Sequence, residues 1–297
     1  MCIVLDYIQK YPLRTKQILG ISYEQFQLLL KAAAEEHLRI KKENDKQKVR
    51  INSPGGGRKE LLSTSSQICL CLFYLRQIPT FEILGMLFSV SKSEAHATFH
   101  YWRKIFREIL PSSLLEQVGN QEGDLIIVQE ILTNFKLLVD SVEQPIDRPS
   151  DNEEQKKFFS GKKKQHTLKS QVVGLPGAKD IVDIEVGFPG PTADINLFRQ
   201  QQTKFDEQQK FEGDKGYQGG NNITTPHKKK RKQQLSHQQK EENKVLSSKR
   251  IFVEHLIRII KIFQIASQRF RLNSDVYNEI FLIVCGLVRL RIDALVL

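Results

Sequence analysis

A chain of 297 residues is long enough for two domains that each bury a core, and far too long for a miniprotein held together by disulfides. It carries 45 Lys and Arg against 34 Asp and Glu, a formal net charge of +11, while a hydrophobic content of 40% excludes a disordered basic tail. These numbers predict a folded, basic protein with a polyanionic partner, nucleic acid ahead of a membrane surface.

Cysteine usage and the apolar runs indicate the compartment. The four cysteines, Cys2, Cys69, Cys71 and Cys285, show no C-x-x-C spacing, which argues against a disulfide framework and a thiolate zinc site. The chain does not open like a signal peptide, and the longest apolar run, Ile280 to Val288, is too short to cross a bilayer. We therefore predict a soluble, cytoplasmic protein that has no membrane partner and joins the nucleoid when bound to DNA.

Residues 1–60 are predicted to form a helical segment followed by a basic linker. The sequence Ser22-Tyr-Glu-Gln25 fits a capping box, in which two side chains satisfy the free amides of a helix start, and the helix should run to about Arg39. From Lys41 to Lys59 the periodicity disappears, which is typical of a linker or basic arm. Within this arm Arg58 is a candidate DNA contact.

Residues 61–112 carry the pattern of three helices with tight joints. The first should span about Gln67 to Arg76, and the second should run from Thr80 to Phe88. The third should start at Ser91, where a second capping box stands. A short helix, a turn and a longer basic helix are the parts of a helix-turn-helix, whose last helix enters the major groove of DNA.

The third helix has two faces. Its apolar stripe recurs at four- and three-residue steps and comprises Ala95, Phe99, Trp102, Phe106 and Ile109. An ordinary three-helix bundle with a solvated polar face would show the same stripe, but the basic opposite face favours DNA binding. The candidate DNA contacts on this helix are Lys92, Ser93, His100, Lys104 and Arg107.

From about residue 133 to the end, the pattern predicts a mixed α/β domain. Three strand-like stretches, Phe135 to Asp140, Lys169 to Val173 and Ile181 to Val186, suggest an antiparallel meander. Helices are then expected from Asp194 to about Lys204, and over about 251–270 and 275–291. Strands followed by packed helices are typical of this fold class.

Three acids occupy favourable places for a site. Asp140 ends an apolar strand, Asp214 lies at a strand-to-turn transition, and Glu254 belongs to a largely apolar helix. Carboxylates from separate elements suit two hard divalent cations, the ions that drive phosphodiester chemistry. Glu254 shares its polar stripe with the cations Arg250, Arg258 and Lys261. A ladder of helical salt bridges explains that stripe equally well.

The order of these motifs resembles the DDE transposases of bacterial insertion sequences, the group related to Harbinger-type elements. The resemblance rests on Leu137-Leu-Val-Asp140, Gly190-Pro-Thr-Ala-Asp194, Gly213-Asp214-Lys-Gly-Tyr217 and Arg250-Ile-Phe-Val-Glu254, with Lys261 farther on. Upstream, the stretch from Tyr74 to Leu84 and then Phe88-Ser-Val-Ser91 is similar to the helix-turn-helix of the same family. Gly213 and Ser141 depart from the family's more frequent Ala and Gly.

The resemblance implies a ribonuclease-H-like catalytic domain over residues 133–297. It implies that Asp140, Asp214 and Glu254 bind Mg²⁺ or Mn²⁺, with two ions expected, and that Asp194 is a less certain ligand. It also matches Arg250 and Lys261 to the basic positions that flank the family's glutamate. The partners it implies are double-stranded DNA of the element ends and of the target, and a homodimer or higher assembly.

Three functions follow as hypotheses. The first is a transposase that cuts the ends of its own element and joins the 3′-hydroxyl to target DNA by two-metal chemistry. The second is a sequence-specific DNA-binding protein, an inactive or domesticated relative. The third is a metal-dependent DNA nuclease that performs no strand transfer.

Overall fold

The computed structural model describes residues 3–47, 60–119, 122–229 and 234–297. The chain forms two compact units. The first comprises Met1–Leu110 with Phe263–Ile265 and Leu295–Leu297, and the second comprises Pro111–Ile262 and Ala266–Ala294. The domain boundaries predicted from the sequence stay predictions. Arg58 lies outside the described residues.

The first unit is helical. Its helices are α1 (Ile3–Lys10), α2 (Thr15–Ile18), α3 (Tyr23–Gln47), α4 (Thr64–Gln77), α5 (Phe81–Phe88) and α6 (Lys92–Ile109), with a 3₁₀ turn at Pro12–Arg14.

Helix α3 begins at the predicted capping box. The Gln25 N–H donates to Ser22 Oγ at 3.2 Å, and the Ser22 N–H donates to Gln25 Oε1 at 2.9 Å. The predicted end near Arg39 is wrong, because α3 continues to Gln47. Arg39 pairs with Glu36 one turn before it and with Glu43 one turn after it, so i,i+3 and i,i+4 ion pairs support the helix through the segment interpreted as linker.

The predicted helix-turn-helix pattern is present in α4, α5 and α6. Their N-caps are Ser63, Thr80 and Ser91, whose hydroxyls each accept a backbone N–H from the first turn. Helices α4 and α5 end at Ile78 and Ser89, both in the left-handed conformation that reverses the chain after a helix. In α6, Ala95, Phe99, Trp102 and Phe106 are fully buried, as the apolar stripe predicts, and Ile109 is half-buried.

The second unit surrounds one mixed sheet. Its strands are β1 (Lys136–Pro145), β2 (Phe159–Ser160), β3 (Gln165–Gly174), β4 (Ile181–Pro189), β5 (Lys210–Glu212) and β6 (Ile223–Thr224). Its helices are α7 (Leu114–Val118), α8 (Glu122–Leu132), α9 (Asn152–Phe158), α10 (Asp194–Gln202), α11 (His237–Ile262) and α12 (Tyr277–Arg291). A 3₁₀ turn at Lys215–Tyr217 follows β5.

The strand order confirms the mixed α/β class. The sheet runs β4-β3-β1-β5-β6, and β2 pairs with the start of β3. β1, β3 and β4 form the predicted antiparallel meander, whereas β5 runs parallel to β1, and β6 runs parallel to β5. This order and these directions are those of the ribonuclease-H-like fold that the resemblance implies.

Helices cover both faces of the sheet. On one face Leu137, Val139 and Phe211 pack against aromatic side chains such as Phe198 and Tyr217. On the other face lie α11 and α12, which contact β1, β3 and β4. With one layer of helices on each side, both apolar faces of the sheet are buried.

Helix α11 differs from its predicted span of about 251–270. It begins at His237, in a polar stretch without apolar periodicity, and ends at Ile262. Its buried stripe includes Val253, Leu256 and Ile260, but Ile251 and Phe252 are exposed. Although this part of the helix is largely apolar, it covers the sheet with one face only, so part of its apolar surface is exposed.

An interior ion pair fastens α12 to its neighbours. The Arg289 side chain is 0% exposed and donates from Nε and Nη2 to the two oxygens of Asp180 at 2.7 and 2.9 Å. Its Nη1 donates to the carbonyl oxygens of Pro111 and Ser113, and Nη2 also donates to Gln117 Oε1. This dense bonding satisfies a buried guanidinium. In the ranges described above, the helices include none that is long and apolar enough to cross a membrane.

Candidate functional site

The pairing register of β1 and β5 brings Asp140 and Asp214 to the same edge of the sheet. Leu138 pairs with Glu212, the last residue of the parallel strand β5, so both chains pass their aspartate two residues later. Asp140 Oδ1 accepts the Ser141 N–H at 2.8 Å, and Asp214 Oδ1 accepts the Gly216 N–H at 2.6 Å. A backbone amide thus orients one oxygen of each carboxylate.

Asp194, the first residue of α10, joins this edge through a buried lysine. Asp194 Oδ1 accepts from Ser141 Oγ at 2.8 Å and from Lys169 Nζ at 3.0 Å. The Lys169 side chain is only 7% exposed, and its Nζ also donates to the carbonyl oxygen of Thr192 at 2.6 Å. The negative charge of Asp194 is therefore largely balanced within the fold, and its Oδ1 is occupied.

Gly216 lets two of the carboxylates face each other. A Cβ on Gly216 would lie 2.8 Å from Asp194 Oδ2 and 2.9 Å from Asp214 Oδ1, so any side chain there would collide with both. The next residue, Tyr217, is fully buried. Burial, and then the negative charges of Asp140, Asp194 and Asp214, raise the pKa of Tyr217 well above its usual value. Tyr217 is thus a neutral phenol beside three carboxylates.

Glu254 approaches from α11. Its side chain is 54% exposed, and its Oε1 lies 3.3 Å from Nη2 of Arg250, one turn earlier. The pKa of Asp140 is raised to about 6, mainly by burial; the Ser141 N–H and the Arg250 guanidinium act to lower it, and the charges of Asp214 and Glu254 act to raise it. Asp140, Asp214, Glu254 and Arg250 therefore share one electrostatic field.

This donor set suits a hard divalent cation. Mg²⁺ and Mn²⁺ prefer carboxylate oxygens, and the pKa of Asp140 is raised mainly because its charged form is buried, a cost that a bound cation would offset. As the side chains stand, the described part of the chain holds no group of three His, Cys, Asp or Glu side chains close enough to bind a metal ion. Glu254 is instead engaged by Arg250. Binding would require Glu254 to exchange its guanidinium partner for the cation.

The other cations of the α11 stripe face solvent. Arg258 and Lys261 are exposed, as the stripe predicts. Nη2 of Arg258 lies 3.2 Å from Nδ1 of His255, whereas Arg250 pairs with Glu254. The ladder alternative thus accounts for the Arg250–Glu254 step of the stripe, and the exposed cations remain suited to a phosphate backbone.

The predicted DNA contacts on α6 divide into two groups. Lys92, Ser93 and Lys104 are exposed, whereas His100 and Arg107 are half-buried. His100 Nδ1 accepts from Arg103 Nε at 2.9 Å, and burial, followed by nearby positive charges, lowers its pKa to about 4. His100 is therefore neutral near pH 7, so it offers a hydrogen bond rather than a charge.

Sequence reasoning missed three residues that shape the site: Lys169, Ser141 and Tyr217. Lys169 stood within a predicted strand, and a lysine in a strand buried on both faces is a signal that a buried anion lies nearby. Ser141 was noted merely as a departure from the family pattern, yet it binds Asp194. Tyr217 was quoted only as the end of a motif.

Comparisons with known proteins identify the family of this chain. Residues 139–289 match the family model described as DDE superfamily endonuclease, and residues 59–112 match the helix-turn-helix of DDE superfamily endonuclease. The chain is 33% identical over 219 residues to the probable transposase for insertion sequence element IS702 of Microchaete diplosiphon, covering 72% of this chain and 76% of the relative.

Among solved structures, the crystal structure of a pre-cleavage Mos1 transpososome aligns over 85% of this chain and 83% of its own. Its identity is 10% and its TM-score 0.19.

Proposed function

The chain belongs to the DDE superfamily endonucleases as a transposase of an insertion sequence, and we propose that it cleaves the ends of its own mobile element and joins the freed 3′-hydroxyl to target DNA. The observation that supports this proposal is that Asp140 lies within the electrostatic influence of Asp214, Glu254 and Arg250, and that Arg250 pairs with Glu254. The three acids come from β1, the turn after β5, and α11. Such separate origins are expected of a site built for chemistry.

DDE superfamily endonucleases generally use divalent metals, and we assign the ligands here to Asp140, Asp214 and Glu254. Two Mg²⁺ or Mn²⁺ ions are proposed, because phosphodiester cleavage and joining need both an activated oxygen nucleophile and a stabilised leaving oxygen. Asp194 is proposed as a supporting residue. Its Oδ1 is held by Lys169 and Ser141, which leaves Oδ2 directed toward the side of Asp214.

The chain's own cations orient the DNA. Arg250 lies beside the carboxylates and, once Glu254 turns away, is available to a phosphate oxygen. The exposed Arg258 and Lys261 continue the stripe and suit the backbone of the same strand. Neither the cleavage step nor the joining step needs a covalent intermediate with the protein, because water and then a 3′-hydroxyl serve as the nucleophiles.

DNA is the partner that the helix-turn-helix and the transposase family imply. We propose that α6 lies in the major groove of the element end, with Lys92, Ser93 and Lys104 as contacts. A homodimer or higher assembly is proposed because two element ends must be joined in one event. Cytoplasmic localisation, with association with the nucleoid, stays a prediction.

Cleavage of DNA that flanks the reading frame tests the proposal. With Mg²⁺, the full-length protein is expected to nick the duplex at the element end and to yield joined products with a target plasmid. Glu254→Gln should abolish both, whereas Glu241→Gln, at an exposed glutamate on the same helix, should leave both intact. Cleavage without joined products would favour the nuclease hypothesis, and DNA binding without cleavage would favour the binding-protein hypothesis.

A further inference from the structure

A cavity of about 320 Å³ opens beside the acidic edge, the edge of the sheet that carries Asp140 and Asp214. One wall is formed by α11 through Asn243, Ser247 and Arg250, and the other by Asp214, Lys215 and Pro226. The three α11 residues recur at four- and three-residue steps and so share one face of the helix with Glu254, a turn beyond Arg250. Since liquid water takes about 30 Å³ per molecule, the cavity has room for a group much larger than one water.

The wall opposite α11 is fastened in place. The His227 N–H donates to Asn243 Oδ1 at 2.7 Å, and Asn243 Nδ2 donates back to the His227 carbonyl at 3.1 Å. His227 Nε2 lies 2.6 Å from Glu242 Oε2, and Gln218 Nε2 donates to the carbonyl of Pro226 at 3.3 Å. Because these bonds hold the chain around Pro226 against α11, the cavity is a built feature of the second unit.

Three of the side chains that line the cavity, those of Arg250, Lys215 and Ser247, carry hydrogen-bond donors, and the Asp214 carboxylate lies at its border. Arg250 Nε is buried and has no hydrogen-bond partner among the described residues, although its Nη2 pairs with Glu254. Lys215 and Ser247 add an exposed ammonium and an exposed hydroxyl. A guanidinium, an ammonium and a hydroxyl around one space match the oxygens of a phosphate group, and a buried N–H without a partner is costly unless a ligand supplies one.

We propose that this cavity binds a phosphodiester group of the DNA strand next to the phosphate that is cut. DNA as the ligand rests on the proposed function, and the site borders the proposed metal ligands through Asp214. Ser247 precedes Glu254 by two helical turns, about 10 Å along α11, so the phosphate in the cavity is a neighbour of the one at the acids. The strand would follow the face of α11 from Glu254 toward Asn243.

The salt dependence of DNA binding tests this site without cleavage. The probe is a fluorescent duplex of the DNA that flanks the reading frame, bound by the full-length protein in EDTA over a series of salt concentrations. Each phosphate contact contributes a slope of about 0.9 to log Kd against log salt. Ser247→Glu places a negative charge in the cavity, so we expect the slope to fall by about one and Kd to rise roughly tenfold at low salt.

Ser248→Glu is the matched control. Ser248 is also exposed, and the variant makes the same charge change one residue later, about 100° around α11, so the slope should stay at the wild-type value. Lys215→Gln should also lower the slope by about one, whereas Lys210→Gln, an exposed lysine at the far end of β5, should not. Ser247 and Ser248 are both exposed, so neither variant threatens folding.

Equal slopes for Ser247→Glu, Ser248→Glu and the wild type would overturn the proposal, as would a wild-type slope for Lys215→Gln. Because the assay contains no metal, its outcome is independent of cleavage. A protein that fails to cut DNA in Mg²⁺ but shows the expected slope differences would refute the proposed reaction and keep the phosphate site. A protein that cuts DNA but shows no slope difference would support the proposed reaction and refute the phosphate site.

Discussion

The two units place their charges in opposite ways. In the helix-turn-helix, Lys92 and Lys104 stand exposed on one face of α6, while the interior of that helix is apolar and aromatic. The second unit also contains buried cations that are held by an acidic partner, as Lys169 is by Asp194 and Arg289 by Asp180. Removing an exposed charge of α6 should therefore affect binding alone, whereas removing one of these buried charges of the second unit should affect folding.

The largest effect is expected at Arg289. Arg289→Met would leave Asp180 buried with its charge uncompensated, and breaking a buried pair in this way costs about 3–5 kcal/mol of unfolding free energy. Denaturant unfolding followed by circular dichroism measures the loss. The control is Arg269→Met, which removes an exposed pair with Asp147 and should cost less than about 1 kcal/mol. Equal losses of unfolding free energy would contradict the claim that burial makes the Arg289–Asp180 pair more costly to break than the exposed pair.

A smaller loss is expected at Lys169. Lys169→Met removes two charged hydrogen bonds and leaves Asp194 beside other carboxylates, so unfolding free energy should fall by roughly 2–3 kcal/mol. The double variant Lys169→Met/Asp194→Asn should recover much of that loss, because it also removes the uncompensated charge. Additive losses in the double-mutant cycle would contradict the pairing.

These two regions also differ in how far their sequences predict them. The helix-turn-helix depends on local signals: the caps at Thr80 and Ser91 and the stripe through Phe99 and Trp102 are visible in the sequence and present in the structure. At the acidic edge, the strand of Asp140 was predicted, but the bond from Lys169 to Asp194 joins residues from different elements. Such a contact depends on the register of β1, β3 and β5, which no local pattern specifies.

The predicted start of helix α11 was wrong for a related reason. Its first half is polar and carries no apolar period, so its start at His237 could not be predicted, and the cavity face of Asn243 and Ser247 was missed with it. Conversely, Arg39 lies in a polar stretch whose helical ion pairs could have been inferred from the spacing to Glu36 and Glu43.

In the first unit, a surface charge should affect DNA affinity without affecting stability. Lys104→Ala is expected to weaken DNA binding and to lower the salt slope by about one, with unfolding free energy changed by less than about 0.5 kcal/mol. Fluorescence anisotropy and denaturant unfolding measure the two effects. Glu108→Ala, an exposed acid one turn along α6, is the control and should not lower the slope.

A pH dependence of stability is also expected in the first unit. The pKa of His100 is lowered from 6.5 to about 4 in the folded protein, so the unfolded chain binds the proton more tightly. Stability should therefore decline as pH falls from about 6.5 toward 4. His100→Gln should flatten that part of the curve, as measured by unfolding at a series of pH values. An unchanged slope would mean that His100 is not the group responsible.

The central proposal is that residues on β1, after β5 and on α11 form one catalytic site. Replacing one carboxylate oxygen of Asp214 by an amide nitrogen tests this proposal most directly. Asp214→Asn is compared with Asp206→Asn, which alters another turn-capping aspartate just before β5. With Mg²⁺ and DNA containing the element end, Asp214→Asn should fold and bind DNA but lose cleavage, while Asp206→Asn should cut like the wild type. Cleavage retained by a folded Asp214→Asn protein would contradict the assignment.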